Sequence, residues 1–393
     1  MLIAGEASGD TLAAGLVAAL RARVVEAESA PTQDVQPLRT ALVPRFFGAG
    51  GPNMAAAGVE LAFDLTQHSV IGLSDVLTNY LKFRRLFRRL VRLAIERQPD
   101  AILCVDFSGF NRRFAHAIRG HVRRHKSAFR PWNPRLIQHV SPQVWASRPG
   151  RAYQLAEDYD LLLSIFPFEK EWYARRVPKL RVEFVGHPLR PAHGKPPVRD
   201  QPGKGGTTVL LLPGSRTSEL RRHLPVILPA LDRIQANRPD VKANMVLPGE
   251  ALAQLAKSLG ARCQIQIGGL PQALADTDVA IASTGTVTME CALHGVPAVT
   301  LYRTSWTTYQ IARHIVSVKW LTMPNLLAGE EIFPEFVQNA ATPENLARAA
   351  LELLEDQTRR DWVKTRLAEV VAGLGRPGAN ARAADCIVRL LNG

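Results

Sequence analysis

Short continuous apolar runs, too brief for helices, punctuate this chain. They occur as "MLIA" (1–4), "AILCVDF" (101–107), "RLIQHV" (135–140) and "LLLSIF" (161–166). They return as "TVLLLP" (208–213), "VKANMVLP" (241–248) and "VAIAS" (279–283). Helical patterns separate them. Strands apolar on both sides and split by helices predict parallel sheets covered on both faces. "HGKPPVRDQPGKGG" (193–206) breaks the pattern with Pro, Gly and charge, and reads as a linker. The chain is therefore expected to be α/β, with two doubly wound parallel-sheet domains. They span 1–190 and 207–372, joined through 191–206. A terminal helix at 373–393 packs on the first domain or on a partner chain. Residues 30–40 ("APTQDVQPLRT") read as a surface loop.

In open parallel sheets, ligands sit beyond the carboxyl ends of the strands. The unusual residues fall there. "MLIAGEASGD" runs from a strand into Gly5, Glu6, Ala7, Ser8, Gly9 and Asp10. Glycines permit close approach of a ligand and the following helix start attracts anions, with Asp10 expected to cap that helix. Glu6, directly after a buried strand, should face a cleft between the domains. "CVDFSGFN" (104–111) ends a strand on Asp106, placed to accept a proton from an attacking hydroxyl. "LLLPGSR" (210–216) ends another, with Gly214 and Ser215 in a turn and Arg216 as a permanent cation for phosphate. A loop arginine paired with a nearby carboxylate is the alternative.

"IASTGTVTMECALHGVPAV" (281–299) is the most informative stretch. A strand runs into Ser283, Thr284, Gly285 and Thr286, and a helix start there predicts a diphosphate site. Glu290, about one turn in, could accept hydrogen bonds from ribose hydroxyls. The triplets Asp158-Tyr159-Asp160 and Asp276-Thr277-Asp278 precede strands rather than follow them, so neither reads as a metal-binding pair. His116, His121 and His125 share a helical face among basic residues and read as solvated surface, not as metal ligands. No cofactor or metal is expected.

The chain has 393 residues, 46% of them hydrophobic, enough for two cores. Four scattered cysteines without a C-x-x-C pair suggest reduced thiols in a cytoplasmic protein. No apolar run is long enough to span a membrane, and no signal peptide is evident, although a start slightly upstream of Met1 is an alternative. The net charge of +14 favours anionic partners. Nucleic acid is not the expected one, because no aromatic RNA platform, helix-turn-helix or zinc module accompanies the charge.

These features converge on a metal-independent sugar-nucleotide transferase. The sequence resembles the lipid-A-disaccharide synthase family. The resemblance rests on "AGEASGD" (4–10), "GAGGPNM" (48–54), "VSPQVWA" (140–146), "FPFEKEWY" (166–173), "FVGHPL" (184–189), "LLPGSR" (211–216), "STGTVTMEC" (283–291) and "MPNLLAG" (323–329), in the family's order across nearly the whole chain. It implies a GT-B architecture of two Rossmann-like domains facing an interdomain cleft. It implies condensation of UDP-2,3-diacylglucosamine with 2,3-diacylglucosamine 1-phosphate, giving a β-1,6-linked disaccharide and UDP with inversion. By the same resemblance Asp106 matches the proposed base, and Glu6 and Ser8 the acceptor-side loop. Arg216, Glu290 and Asn325 match positions of the nucleotide site. Two positions depart from the family's blocks. Gly109 replaces the second acid of D-x-P-D-F-N, and Ser147 replaces a tryptophan.

Both implied substrates carry acyl chains, which calls for peripheral contact with the anionic inner face of the inner membrane. The stretch 69–97 suits this. Val70, Ile71 and Leu73 could touch acyl chains, while Arg84, Arg85, Arg88 and Arg89 supply charge along a helix whose other face packs on the sheet. A homodimer is left open. The rival enzyme reading is another GT-B protein handling UDP-GlcNAc, either an epimerase or a peptidoglycan transferase.

Overall fold

A computed structural model of the protein describes residues 1–29, 44–68, 76–125, 132–189 and 206–392. The chain divides into two compact units, Met1–Arg190 with Leu374–Gly393, and Pro191–Gly373. The surface loop expected at 30–40 and most of the linker lie outside the described residues.

The first unit runs β1 (Leu2–Ala4), α1 (Ala7–Ser29), β2 (Phe47–Gly50), α2 (Pro52–Ala56), β3 (Glu60–Asp64), α3 (Val76–Arg97), β4 (Ala101–Val105) and α4 (Ser108–His125). It continues through β5 (Arg135–His139), α5 (Val144–Ser147), α6 (Arg151–Asp158), β6 (Leu161–Ser164), α7 (Pro167–Arg176) and β7 (Val182–Phe184). The second unit runs β8 (Thr208–Leu212), α8 (Thr217–Asn237), β9 (Lys242–Leu247), α9 (Glu250–Ser258), β10 (Gln264–Ile267), α10 (Leu270–Ala275), β11 (Val279–Ser283) and α11 (Thr286–Leu293). It ends with β12 (Ala298–Tyr302), α12 (Trp306–Ile315), α13 (Met323–Ala328), β13 (Glu335–Val337), α14 (Pro343–Glu355) and α15 (Gln357–Gly373). The last helix, α16 (Ala379–Asn392), returns to the first unit.

The strand orders are β3-β2-β1-β4-β5-β6-β7 and β10-β9-β8-β11-β12-β13. Each order reverses direction once, between β1 and β4 and between β8 and β11. At such a switch point the connecting helices diverge to opposite faces and leave an open crevice.

The apolar runs form strands because both of their sides are buried. In β1, Ile3 packs with Ile102, Cys104 and Phe114 on one face of the sheet. Leu2 and Ala4 pack with Leu103, Val105, Leu16 and Val17 on the other. The same second face receives Ala383, Ala384 and Ile387 from α16. Arg23 pairs with Asp385 at 2.7 Å, and Arg382 Nε donates to the Val185 carbonyl at 2.8 Å. α16 thus packs against α1 of its own unit.

Ile387 is 1% exposed and fills the α1–α16 seam. Ile387→Ala is expected to destabilise the first unit by about 2–5 kcal/mol. Denaturant unfolding followed by circular dichroism would register this as a transition shifted to lower denaturant.

Candidate active site

The strand registers bring the candidate residues together in each unit. Ala4 pairs with Val105, so Gly5–Ser8 and Asp106 leave the sheet side by side. Ala282 pairs with Leu212, so Pro213–Arg216 and Ser283–Thr286 do the same. Both pairs of turns stand at switch points.

Asp106 is half-buried and adopts φ +47°, followed by Phe107 at +45°. Neither residue takes this left-handed conformation easily, and two such residues in succession cost free energy that the surroundings must offset. The surroundings are specific. Asp106 N–H donates to the His139 carbonyl at 2.9 Å. Its own carbonyl accepts from Asn111 Nδ2 at 2.8 Å and Gln138 Nε2 at 3.2 Å. Asn111 and Gln138 are fully buried, as is His139. The glycine ending β1 is explained by the same turn. A side chain at Gly5 would strike the Phe107 ring, whose Cδ1 lies 2.2 Å from the Cβ position.

The carboxyl of Asp106 is held above the ordinary carboxylate range, first by burial and then by the neighbouring Glu6 carboxylate, against a lowering contribution from the Phe107 amide. Glu6 is half-buried and Ser8 is exposed in the first turn of α1. Asp10 does not cap α1 as expected. It lies inside that helix, buried, and its carboxylate accepts from the backbone of Gly51 (2.7 Å), Asn53 (2.9 Å) and Met54 (3.1 Å). It therefore fixes the β2–α2 turn beside the site.

In the second unit, Gly214 has φ +127°, and a side chain there would lie 2.4 Å from Glu219 Oε2. That oxygen accepts from Ser215 N–H at 2.9 Å and Arg216 N–H at 3.2 Å, while Arg216 Nη1 lies 3.3 Å from Glu219 Oε1. The alternative reading of this arginine, as one paired with a nearby carboxylate, is the arrangement seen here. The turn's amides are engaged by a carboxylate one helical turn ahead, as in the reaching-back half of a capping box. The guanidinium of Arg216 is half-exposed, with 52% of its side chain accessible. His223 secures the same turn, donating from Nδ1 to the Pro213 carbonyl at 2.6 Å and accepting Arg303 N–H at Nε2 at 3.1 Å. Burial lowers its pKa, keeping the neutral form that both contacts require.

The β11–α11 turn differs. Gly285 at φ +134° precedes α11, and Thr288 donates to its carbonyl at 2.7 Å. Among the described residues, no hydrogen bond engages the backbone N–H groups of Gly285, Thr286 or Val287. They form an anion-attracting helix start. Thr284 donates from its backbone to Leu301, and Ser283 is buried at the strand end. Glu290, half-buried, has its pKa raised by burial.

Asn325 is different again. Its Nδ2 donates to the Phe333 carbonyl (2.7 Å) and to Glu335 (2.8 Å), and its Oδ1 accepts from Ile332 (2.9 Å) and Phe333 (2.8 Å). With all four positions filled and no exposure, it pins α13 to β13 and has nothing left for direct contact with a nucleotide.

A family model for lipid-A-disaccharide synthetase matches residues 1–387. The chain is 35% identical over 412 residues to the lipid-A-disaccharide synthase of Alkalilimnicola ehrlichii, covering 100% of this chain and 98% of that one. It is 34% identical over 401 residues to the enzyme of the same name from Myxococcus xanthus, covering 100% and 97%. The chain belongs to the lipid-A-disaccharide synthase family. Among solved structures it resembles the glycotransferase of kitacinnamycin, at a TM-score of 0.60, 19% identity and coverage of 99% and 98%. That likeness concerns the fold, which is GT-B.

The family's blocks in this chain carry structure as well as chemistry. "VSPQVWA" and "FPFEKEWY" meet at Glu169, buried, whose Oε1 accepts the Trp145 indole N–H at 2.9 Å. Burial pushes Glu169 up to about 7. In the lipid-A-disaccharide synthase block "DFSGFN", Gly109 lies in the first turn of α4 with open space around its Cβ position. Ser147 closes α5, half-exposed. His116 is not simply solvated, since its Nδ1 lies 3.2 Å from the buried Asp158 carboxylate. Asp158 ends α6, ahead of β6. Sequence reasoning missed Asn111, Gln138, Glu219 and His223. The "[Arg216]-x-x-Glu219" spacing was the one available signal, being that of a capping box.

On α3, Leu90 and Ala94 are fully buried and Phe87 packs edge-on against Phe110 at 5.5 Å. Arg84, Arg85 and Arg88 are exposed. Arg89 is exposed too but donates to the Ala62 carbonyl at 3.2 Å and lies 5.4 Å over the Phe63 ring, so its charge is partly used by the fold. Val70, Ile71 and Leu73 lie outside the described residues. Among those described, no helix is long and apolar enough to cross a membrane.

Because the folded-state pKa of Asp106 is raised, ionising it costs stability above the unfolded carboxylate pKa, and the cost disappears below it. Asp106→Asn removes that cost and also tolerates positive φ better. Its Tm should exceed the parent's at pH 7, with the difference shrinking as pH falls through the carboxylate range. Gly5→Ala should lower Tm, because it displaces Phe107 from the turn that holds Asp106. Differential scanning calorimetry of both variants checks this pair of opposite signs.

Proposed function

We propose that the protein is an inverting glycosyltransferase that joins UDP-2,3-diacylglucosamine to 2,3-diacylglucosamine 1-phosphate. The acceptor's primary hydroxyl oxygen bonds to the donor's anomeric carbon as the bond to the diphosphate breaks. UDP leaves with the electron pair, and the hydroxyl proton passes to the Asp106 carboxylate. The α-linked donor gives a β-1,6-linked disaccharide 1-phosphate.

The observation that carries this reading is Asp106, held in a strained conformation by buried partners at the β1/β4 switch point. A raised pKa brings a carboxylate closer to the working pH of a general base. Glu6 adds to the burial that raises that pKa, and Ser8 stands in the same turn as Glu6 for the acceptor. In the second unit the free amides ahead of α11 and the Arg216 guanidinium suit the charge of a departing diphosphate. Glu290 suits the ribose hydroxyls. Asn325 supports this role only indirectly, through α13. Arg84, Arg85 and Arg88 suit an anionic membrane surface, where each cation is worth about 1 kcal/mol. The enzyme is expected to work at the inner face of the inner membrane.

Incubation with the two substrates and EDTA should release UDP and form the disaccharide. Asp106→Ala should lose about 10²–10⁴ in turnover while keeping UDP affinity. Arg216→Ala should weaken UDP binding about tenfold to a hundredfold, as expected for loss of a charge-assisted contact. Normal turnover in the Asp106 variant would remove it from this role. If Asp106 is the base, the acid limb of kcat/KM reports its ionisation. Glu6→Gln deletes a neighbouring negative charge, so that limb should move to lower pH.

A further inference from the structure

No Asp or Glu occurs between Glu290 and Glu330, although that stretch holds Arg303, Arg313, His314 and Lys319. Within it, α12 follows β12 and is firmly started, with Ser305 Oγ accepting Thr308 N–H at 3.2 Å. None of its residues is buried. Its outward side chains are apolar to an unusual degree. Trp306 is 71% exposed, Ile311 61%, and Leu321, just beyond the helix, 37%. Only Tyr153, Leu189, Ile267 and Leu391 share this condition among the described residues, and they are scattered.

The exposed residues Arg313, His314 and Lys319 lie in the same segment. At 100° per residue, Arg313 falls beside Trp306, and His314 between Trp306 and Ile311. The outer face of α12 therefore mixes a tryptophan, an isoleucine, a histidine and the Arg313 cation, and the carboxylates nearby are Glu331 and Glu335, which lie against Lys319 and Leu321 beyond the helix. Lys319 Nζ lies 4.7 Å over the Trp320 ring, which extends the same chemistry past the helix. A surface meant only for water would gain nothing from this composition. The boundary between phosphate headgroups and acyl chains suits it, because indole and alkyl groups enter that layer while cations meet phosphate.

We propose that α12 and the segment to Leu321 form a membrane-contacting surface on the second unit, separate from α3, whose occupant is the headgroup layer of an anionic bilayer. This rests on the reading that the substrates are acylated lipids presented at a membrane. Charge decides the occupant: the segment carries Arg313 and Lys319 and no carboxylate of its own, and the bilayer surface is anionic.

The test uses the full chain and vesicles of phosphatidylethanolamine with phosphatidylglycerol, with phosphatidylcholine vesicles as the neutral control. Flotation is measured for the parent, for Trp306→Ser with Ile311→Ser, and for Arg84→Gln with Arg85→Gln and Arg88→Gln. The parent should bind anionic vesicles more tightly than neutral ones, and less so at high salt. The α12 double variant should bind anionic vesicles about tenfold more weakly at unchanged Tm. Parent-like binding by that variant overturns the proposal, and so does loss confined to the α3 variant. If light scattering shows that the double variant instead abolishes a concentration-dependent dimer, the surface belongs to a second copy of the chain and the proposal fails. Turnover on short-chain, water-soluble substrates is measured in parallel. Its absence in the parent sinks the assigned reaction while the vesicle result still stands. Its loss in the double variant alone makes α12 a substrate contact and overturns the membrane assignment.

Discussion

Both sheets are parallel and buried on both faces, so polar chemistry has few places to emerge. Along β1, β4, β8 and β11 almost every side chain is apolar and covered. A carboxylate or guanidinium placed mid-strand would lose its hydration without a partner. At the carboxyl ends of two adjacent strands whose helices diverge, the same groups can reach solvent and ligand while their backbones stay anchored in the ladder. This constraint explains why Gly5–Ser8 lies beside Asp106, and Pro213–Arg216 beside Ser283–Thr286.

The two switch points are organised in opposite ways. At β1/β4 the fold works against the carboxylate. Burial and the Glu6 charge disfavour ionised Asp106, and two successive left-handed residues strain its backbone. Hydrogen bonds from Asn111 and Gln138 to its carbonyl keep the strained turn in place. Local strain and a raised pKa held by a buried scaffold mark this carboxyl as a functional-site candidate.

At β8/β11 the fold works toward an anion. One turn already holds a carboxylate, that of Glu219, on its amides, and His223 locks the turn to the end of β12. The adjacent turn, before α11, presents amides with no partner among the described residues. The first arrangement supplies rigidity and aims Arg216. The second leaves positive potential at the helix start. Family membership attaches glycosyl transfer to this chain, and the proposed assignment gives the diphosphate to the second unit and the deprotonation to the first.

Much of this was legible in the residues. Unbroken apolar runs specify doubly buried strands, because side-chain direction alternates along a strand and both faces must be covered. Polar residues directly after those runs marked Glu6, Asp106, Arg216 and Glu290, because a strand that ends in the core's margin delivers its next residue to the rim. Tertiary structure alone decided what each side chain touches. Asp10 left its own helix start to hold residues some forty positions away. Asn325 turned inward onto Phe333 and Glu335. Arg216 met Glu219, and Asp106 was strained by partners from β5 and α4. Strand formation follows from local periodicity, whereas a hydrogen-bond partner or a pKa depends on which distant segments the sheet order brings within three ångströms, and no local pattern encodes that.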